Sequence, residues 1–307
     1  MQKTFFKIEN SNSLSTLTNK FLVLLVSIVT FSCSNDDDNG ISPAGITEIS
    51  QNIKDLIYFR GDEKAPTVLI AVPGGPSTEL AIDIVDDLAQ DISRPQDILT
   101  VTVHQAQTLN PNILEGNDIT LDQAINVNAE SVEMLSEVIT YFKDQGRTVY
   151  VAGISFGAFV TQEFIAQKGI AAADDYLIIT GRLDINDAMW QGLAEGKEAF
   201  FENGLTPIVD DEPSEDVFNR NEARILAGLG MNRYTEQFNT IESLSNITYI
   251  YGETDMAVGS LTAEEVAFLQ SKNANILSGN GGHDSPFECF LKQGFSEAFG
   301  IVLPCPQ

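Results

Sequence analysis

Short β-branched runs recur along the chain, and each is followed by a stretch whose apolar positions return every three or four residues. The first clear run, "TVLIAV" at 67–72, lacks polar alternation and reads as a strand buried on both faces. "PGGPST" breaks it. "TELAIDIVDDLAQDI" then places apolar residues at 80, 84, 85, 88, 89 and 92, a helical period that Ser77 or Thr78 is placed to cap. The same rhythm continues with "DILTVTV" as strand and, after a loop from His104 to Asn117, a long helix from about Leu121 to Asp144 closed by Gly146. "TVYVAG" (strand), "AFVTQEFIAQKG" (helix) and "DYLIIT" (strand) follow. Upstream, "TEISQNIKDLIYFRGDEKAP" reads as one or two extended segments turning at Gly61-Asp62.

Strands alternating with helices imply right-handed crossovers and a mostly parallel sheet covered on both faces, so the class is α/β. Between about 181 and 245 the rhythm stops: helical stretches surround an acidic loop, "VDDEPSED", with no convincing strand. An insertion of that length is expected to be a helical lid, with a separate subdomain as the alternative. The rhythm resumes with "ITYIYG", "LTAEEVAFLQSK", "ANIL" and a last helix, "SPFECFLKQGFSEAFG". The expected organisation is one domain over 46–307 carrying the insertion.

The first residues depart from this pattern. Lys3, Lys7 and Lys20 precede "FLVLLVSIVTF", an uncharged run too short to span a bilayer comfortably and suited to a signal-peptide core. "SCSNDDDNG" comes next, and a cysteine after a small residue at the end of such a core resembles the layout of a bacterial lipoprotein. That resemblance implies removal of residues 1–32, lipidation at Cys33, a flexible acidic linker over 33–45, and a cell-envelope location on the outer membrane, with exposure at the cell surface left open; a cleaved ordinary signal peptide and an uncleaved anchor are the alternatives.

Charge narrows the partners. Against 17 Lys and Arg stand 44 Asp and Glu, a net charge of −27, which excludes the counterion release on which nucleic-acid binding depends. Cleavage of the leader makes the remainder more acidic still, so the lipid alone is expected to hold the membrane. With Cys33 assigned, Cys289 and Cys305 remain; as a disulfide they would close a loop worth roughly 3 kcal/mol, with two free thiols as the alternative. Zinc and iron–sulfur spacings are absent, and no cofactor is expected.

One pentapeptide carries chemistry. "GISFG" (153–157) lies between a β-branched strand and a helix, where a sharp turn exposes Ser155 while Gly153 and Gly157 leave space for neighbouring backbone. A serine nucleophile needs a base, and the chain has two histidines. His283, in "SGNGGHDSP", follows the last strand on a glycine-rich loop; His104 precedes the serine and reads as a loop or pocket-wall residue. Asp255, on the loop after "ITYIYG", is placed to orient the base, with Asp184 or Asp187 as alternatives. Trp190 and Met189 read as lid core or pocket lining, and Asp284 as a helix cap.

The order serine, acid, histidine and the strand–GISFG–helix context resemble the α/β-hydrolase superfamily over roughly residues 65 to 300. The strand followed by "GGP" resembles its prolyl-iminopeptidase-like branch. The resemblance implies an α/β-hydrolase fold with Ser155 as nucleophile, His283 as base and Asp255 as acid. It also implies an oxyanion hole made by the N–H groups of Phe156 and Gly75, with Gly74 beside them. Pro73 stands where that branch has histidine, and His104-Gln105-Ala106-Gln107 where it has an Asp-Gln-Arg-Gly-like stretch. The expectation is therefore a serine hydrolase of a small-molecule ester before an amide. An iminopeptidase or aminopeptidase is the first alternative, and a non-catalytic surface binding module on the same fold the second.

Overall fold

The β-branched runs assemble into one seven-stranded sheet. The computed structural model describes residues 45–92, 97–283 and 287–303; the leader, Cys33, the acidic linker up to residue 44, Asp284 and the Cys289–Cys305 pairing lie outside the described residues and side chains. In chain order the strands are β1 (Ile57–Arg60), β2 (Thr67–Val72), β3 (Ile98–Val103), β4 (Thr148–Ile154), β5 (Asp175–Ile179), β6 (Lys197–Glu202), β7 (Thr206–Pro213), β8 (Ile247–Gly252) and β9 (Asn275–Gly279). The large sheet runs β1-β3-β2-β4-β5-β8-β9, parallel throughout except for β1 against β3, and β6 with β7 forms a separate hairpin.

Period-two alternation divides each central strand between two cores. Val68 and Ile70 of β2 with Val149 and Val151 of β4 pack on one face against Leu135, Val138, Phe159 and Phe164, from the helices Leu121–Asp144 and Phe156–Lys168. Leu69, Ala152, Leu177 and Ile250 point the other way, onto Leu88 of the helix Asp83–Asp91 and onto Phe295 and Phe299 of the helix Phe287–Phe299. Tyr150 stacks on Phe299 with ring centroids 4.8 Å apart. This two-faced burial explains why β2 and β4 lack polar alternation. The long helix begins where its capping box does: Thr120 Oγ1 accepts from Gln123 N, and Gln123 returns the bond to Thr120 N. Strand order, crossovers and the serine turn after the central strand together make this the α/β-hydrolase fold.

Three local expectations are corrected. Gln51–Lys54 is a single helical turn rather than extended chain, and the segment after His104 holds two more such turns, Ala106–Leu109 and Asn112–Glu115. Ser77 does not cap the following helix: its Oγ accepts from Glu79 N in a local turn, and the helix starts only at Asp83. The largest correction concerns the insertion. It is helical at Asp187–Ala194 and Val217–Gly230, but between them the acidic stretch continues a strand, β7, that pairs antiparallel with β6.

The hairpin has a physical signature in the sequence. Asn203 and Gly204 both take positive φ, +54° and +75°, at the centre of a tight turn that Leu205 N closes by donating to Glu202 O, so three residues join the paired Glu202 and Thr206. Phe201 is buried and Ala199 lines the cavity described below, whereas Glu202, Asp211 and Glu212 are exposed. Several contacts bind the insertion to the domain: Asn128 Nδ2 donates to Ile225 O, buried Asn221 Nδ2 to Asn117 O, and Arg220 grips Asp118 through two nitrogens. At its tip, Phe201 N donates to Met256 O and Ser260 N to Gly204 O, so the hairpin rests on the loop after β8. A Cβ at Gly204 would sit 2.9 Å from Glu253 O. We therefore expect Gly204→Ala to cost about 1–3 kcal/mol of stability, read as a lower thermal midpoint, whereas Asn203→Gly should be close to neutral.

Candidate active site

β4 is the middle strand of the sheet, and the turn at its end defines the site. Ser155 sits at φ +54°, ψ −117°, between β4 and the helix Phe156–Lys168. A non-glycine residue holds such a conformation only where its surroundings over-determine it. Here Ser155 N donates to Ile179 O at 2.9 Å, and the two flanking glycines let backbone come close. A Cβ on Gly153 would lie 2.4 Å from Thr161 Oγ1 and 2.6 Å from Gly157 O; on Gly157 it would lie 2.1 Å from Val72 O and 2.6 Å from Pro73 O. The G-x-S-x-G spacing is thus a packing requirement. Phe156 is the first residue of the helix, so its N–H has no intrahelical acceptor and adds to the positive end of the dipole.

The loops after β8 and β9 meet the serine. Gly252 ends β8 and carries no side chain where a Cβ would stand 2.5 Å from Gly281 O and 2.6 Å from Gly282 O. Thr254 N donates to Gly281 O at 3.0 Å, which draws the glycine-rich loop over the strand end and sets His283 above the sheet. Asp255 is fully buried. Its Oδ1 accepts from Ala257 N at 2.8 Å and Val258 N at 3.1 Å, while Oδ2 lies 2.8 Å from His283 Nδ1. A carboxylate only accepts, so the proton of that bond belongs to Nδ1. Nε2 is then the ring's acceptor, 3.0 Å from Ser155 Oγ. One hydrogen-bonded chain joins Asp255, His283 and Ser155.

The alternatives are engaged elsewhere. Asp184 accepts from Thr235 N and Thr235 Oγ1, and Asp187 pairs with Arg233 and accepts from Trp190 Nε1 at 3.0 Å. His104 lies at the end of β3 with Nδ1 2.9 Å from Thr108 Oγ1, and burial holds its imidazole below the ordinary histidine range. Gly74 lies against the serine: a Cβ there would be 3.5 Å from Ser155 Cβ and 3.5 Å from Ile154 O. Gly75, next along, takes φ +141°. Met189 is buried and faces the cavity described below; Trp190 is half-buried and packs against the core.

Two features escape a reading of spacing alone. Arg182, buried where the chain leaves the sheet for the insertion, pairs with buried Glu265 at 3.3 Å and lies over the Phe201 ring at 5.0 Å from its centroid. Glu265 also accepts from the N–H groups of Leu183 and Asp184, so the pair fixes the root of the insertion. The second is Gln105, whose side chain reaches Pro73. Neither carries a local motif, since both depend on contacts with chain far away in sequence.

Beside Phe156 and beneath the insertion lies a cavity of about 70 Å³, walled by Phe159, Met189, Phe201, Leu226 and Val258 among others, all apolar. It lies between the residue after the serine and those that hold Asp255. On the helix that carries Leu226, half-buried Glu222 stands four residues earlier and near Glu198. Loss of solvent, and then the neighbouring charge, push its carboxyl up to about 7. Among the described residues, no group of three or more His, Cys, Asp or Glu side chains could hold a metal ion, and no helix is long and apolar enough to cross a membrane.

No family model and no curated protein matches the chain. Solved structures to which it is similar include MGS-M2, an α/β hydrolase enzyme from a Medee basin deep-sea metagenome library, at 14% identity over 82% of this chain and 96% of that one, TM-score 0.49. A thermostable carboxyl esterase from Bacillus coagulans, in complex with glycerol, is similar at 12% identity over 80% and 94%, TM-score 0.49. A bromoperoxidase from Bacillus anthracis is similar at 12% identity over 79% and 92%, TM-score 0.47.

Two outcomes follow from the geometry. Gly157→Ala must push its Cβ into two carbonyl oxygens that cannot swing aside, and a loss of about 3 kcal/mol or failure to fold is expected in chemical denaturation. At Glu222 the folded chain keeps a proton that the unfolded chain releases at ordinary carboxyl pH, so stability falls as pH rises from about 4.5 to about 7. Thermal midpoints of the wild type and Glu222→Gln should converge near pH 5 and separate by about pH 8, with the wild type lower.

Proposed function

We propose that this chain is a serine hydrolase that cleaves esters bearing a short, uncharged acyl group. The observation that carries the reading is the continuous hydrogen-bonded chain from buried Asp255 through His283 to Ser155 Oγ, at 2.8 and 3.0 Å. Ser155 Oγ attacks the carbonyl carbon while His283 Nε2 takes its proton. Asp255 holds the ring in the required tautomer and stabilises the imidazolium that forms. The developing oxyanion is received by the N–H groups of Phe156 and Gly75. Collapse of the tetrahedral species breaks the bond to the alcohol oxygen, which leaves with the proton from Nε2. Water repeats the sequence on the acyl-enzyme and frees the acid and the serine.

The cavity supports the substrate class. Its volume, about 70 Å³, is well below the roughly 300–1,000 Å³ of pockets for drug-sized ligands. An all-apolar lining favours a short acyl chain over the free amino terminus that an iminopeptidase must hold. Attachment through a lipid on Cys33 belongs to the same proposal and would keep this activity at the cell envelope.

A fluorophosphonate should label the purified protein covalently, and Ser155→Ala should abolish the labelling; labelling that survives the substitution would refute the assignment. His283→Ala is expected to lower kcat by about 10³-fold or more, and Asp255→Asn by about 10²–10⁴-fold. Across a series of nitrophenyl esters, kcat/KM should be highest for acetyl to butyryl and at least about tenfold lower for octanoyl, since a chain that cannot enter forfeits the binding of each methylene. Incorporation of labelled palmitate into the full-length chain in a bacterial host, lost in Cys33→Ser, checks the anchor.

A further inference from the structure

The Pro73 carbonyl that crowds Gly157 is held from another side by a residue with no place in the serine–histidine–aspartate chain. Gln105, two residues beyond β3 and 2% exposed, donates from Nε2 to Pro73 O at 2.8 Å. Its Oε1 accepts from Nε2 of Gln107, which is fully buried. With that end occupied, only the donor end of the Gln105 amide is left to face Pro73. The turn from which the side chain leaves is itself pinned: Gln105 N donates to Thr108 Oγ1 at 2.9 Å, and Ala106 N to Ser131 Oγ on the long helix at 3.0 Å.

What hangs from the Pro73 carbonyl is the loop beside the nucleophile. Pro73 has no N–H with which to anchor itself, and Gly74 and Gly75 have no side chains, so little within the segment fixes the direction of its peptide planes. Gly74 nevertheless lies against Ser155, with a Cβ position 3.5 Å from the serine's own. Donors assist an oxyanion only when they are aimed before the charge develops, because reorienting them during the reaction would forfeit the gain. The contact with Gly157 blocks movement of the Pro73 carbonyl on one side; the amide of Gln105 supplies the attractive hold on the other.

We propose that Gln105 is a positioning residue that aims the Gly74–Gly75 N–H groups at the reacting carbonyl by holding Pro73 O, and that Gln107 selects which end of the Gln105 amide does so. Its kinetic consequence rests on the serine-hydrolase reading; its effect on the order of the loop does not.

The test uses the full chain. Gln105→Met keeps the side chain's length and removes the donor. Gln105→Glu keeps the acceptor for Gln107 and turns a carboxylate toward the carbonyl. Both are expected to lower kcat on a short-chain ester by about tenfold to a hundredfold, with KM changed less than about threefold. The rate of fluorophosphonate labelling should fall in parallel, since the phosphoryl oxygen occupies the same hole. Gln107→Met, which leaves the Pro73 bond available, should lose less than either. Independently of activity, ¹⁵N relaxation should show lower backbone order at Gly74 and Gly75 in Gln105→Met, with β2 unchanged. A kcat within twofold of wild type in a folded variant, or a lowered thermal midpoint with kcat per folded molecule and glycine order both unchanged, overturns the proposal. If the wild type neither labels nor turns over, the hydrolase reading fails and the relaxation result alone decides the role of Gln105. Should Gln105→Met fail to fold, Gln105→Glu and Gln107→Met carry the same comparisons.

Discussion

The structure depends on a place where backbone touches backbone: the α-carbon of Gly157 against the carbonyl oxygens of Val72 and Pro73. A methyl group there would lie 2.1 Å from the first of them. Because it is absent, the first turn of the helix after the serine can press onto the end of the neighbouring strand. That contact brings three things together: the strained serine, the free N–H groups at the helix start, and the Gly74–Gly75 loop. Close packing leaves little slack at such a junction, and the hydrogen bond from Ser155 N to Ile179 O ties the turn to the next strand as well.

The same device recurs where Asp255 and His283 meet. Gly252 admits the carbonyls of Gly281 and Gly282, so the histidine loop crosses over the end of β8 in contact with the loop that carries Asp255. The carboxylate needs no cation, since two N–H groups and the imidazole satisfy it. The insertion is coupled to that loop rather than suspended above it. The edge of its hairpin bonds to Met256 and Ser260, Phe201 lies under Arg182, and Arg182 is paired with Glu265. Removing one partner of a buried ion pair costs far more than the pair itself contributes, so this coupling is hard to alter one residue at a time.

How much of this is legible in the chain differs from element to element. Strands β2, β4 and β5 are legible because a strand buried on both faces must be apolar throughout, and the long helix because its cap and its closing glycine are both local. The hairpin is misread as loop because its acidic outer face hides the alternation, although Asn203-Gly204 states the turn plainly. Ser77 misleads for a related reason: a serine before a periodic stretch can close a local turn as readily as it caps a helix.

Sequence alone determined the class of fold, the turn that holds Ser155, and the short list from which a base and an acid must come, because each is written in contiguous residues or in the scarcity of histidine. Only the tertiary structure brought Asp255, and not Asp184 or Asp187, to 2.8 Å from His283, and only it brought Gln105 to Pro73 and walled the cavity with residues of the insertion. These are contacts across tens of residues, set by which strands become neighbours. A chain records its local conformational preferences position by position, whereas a distance such as the 3.0 Å from His283 to Ser155 exists only once β4, β8 and β9 have taken their places in one sheet.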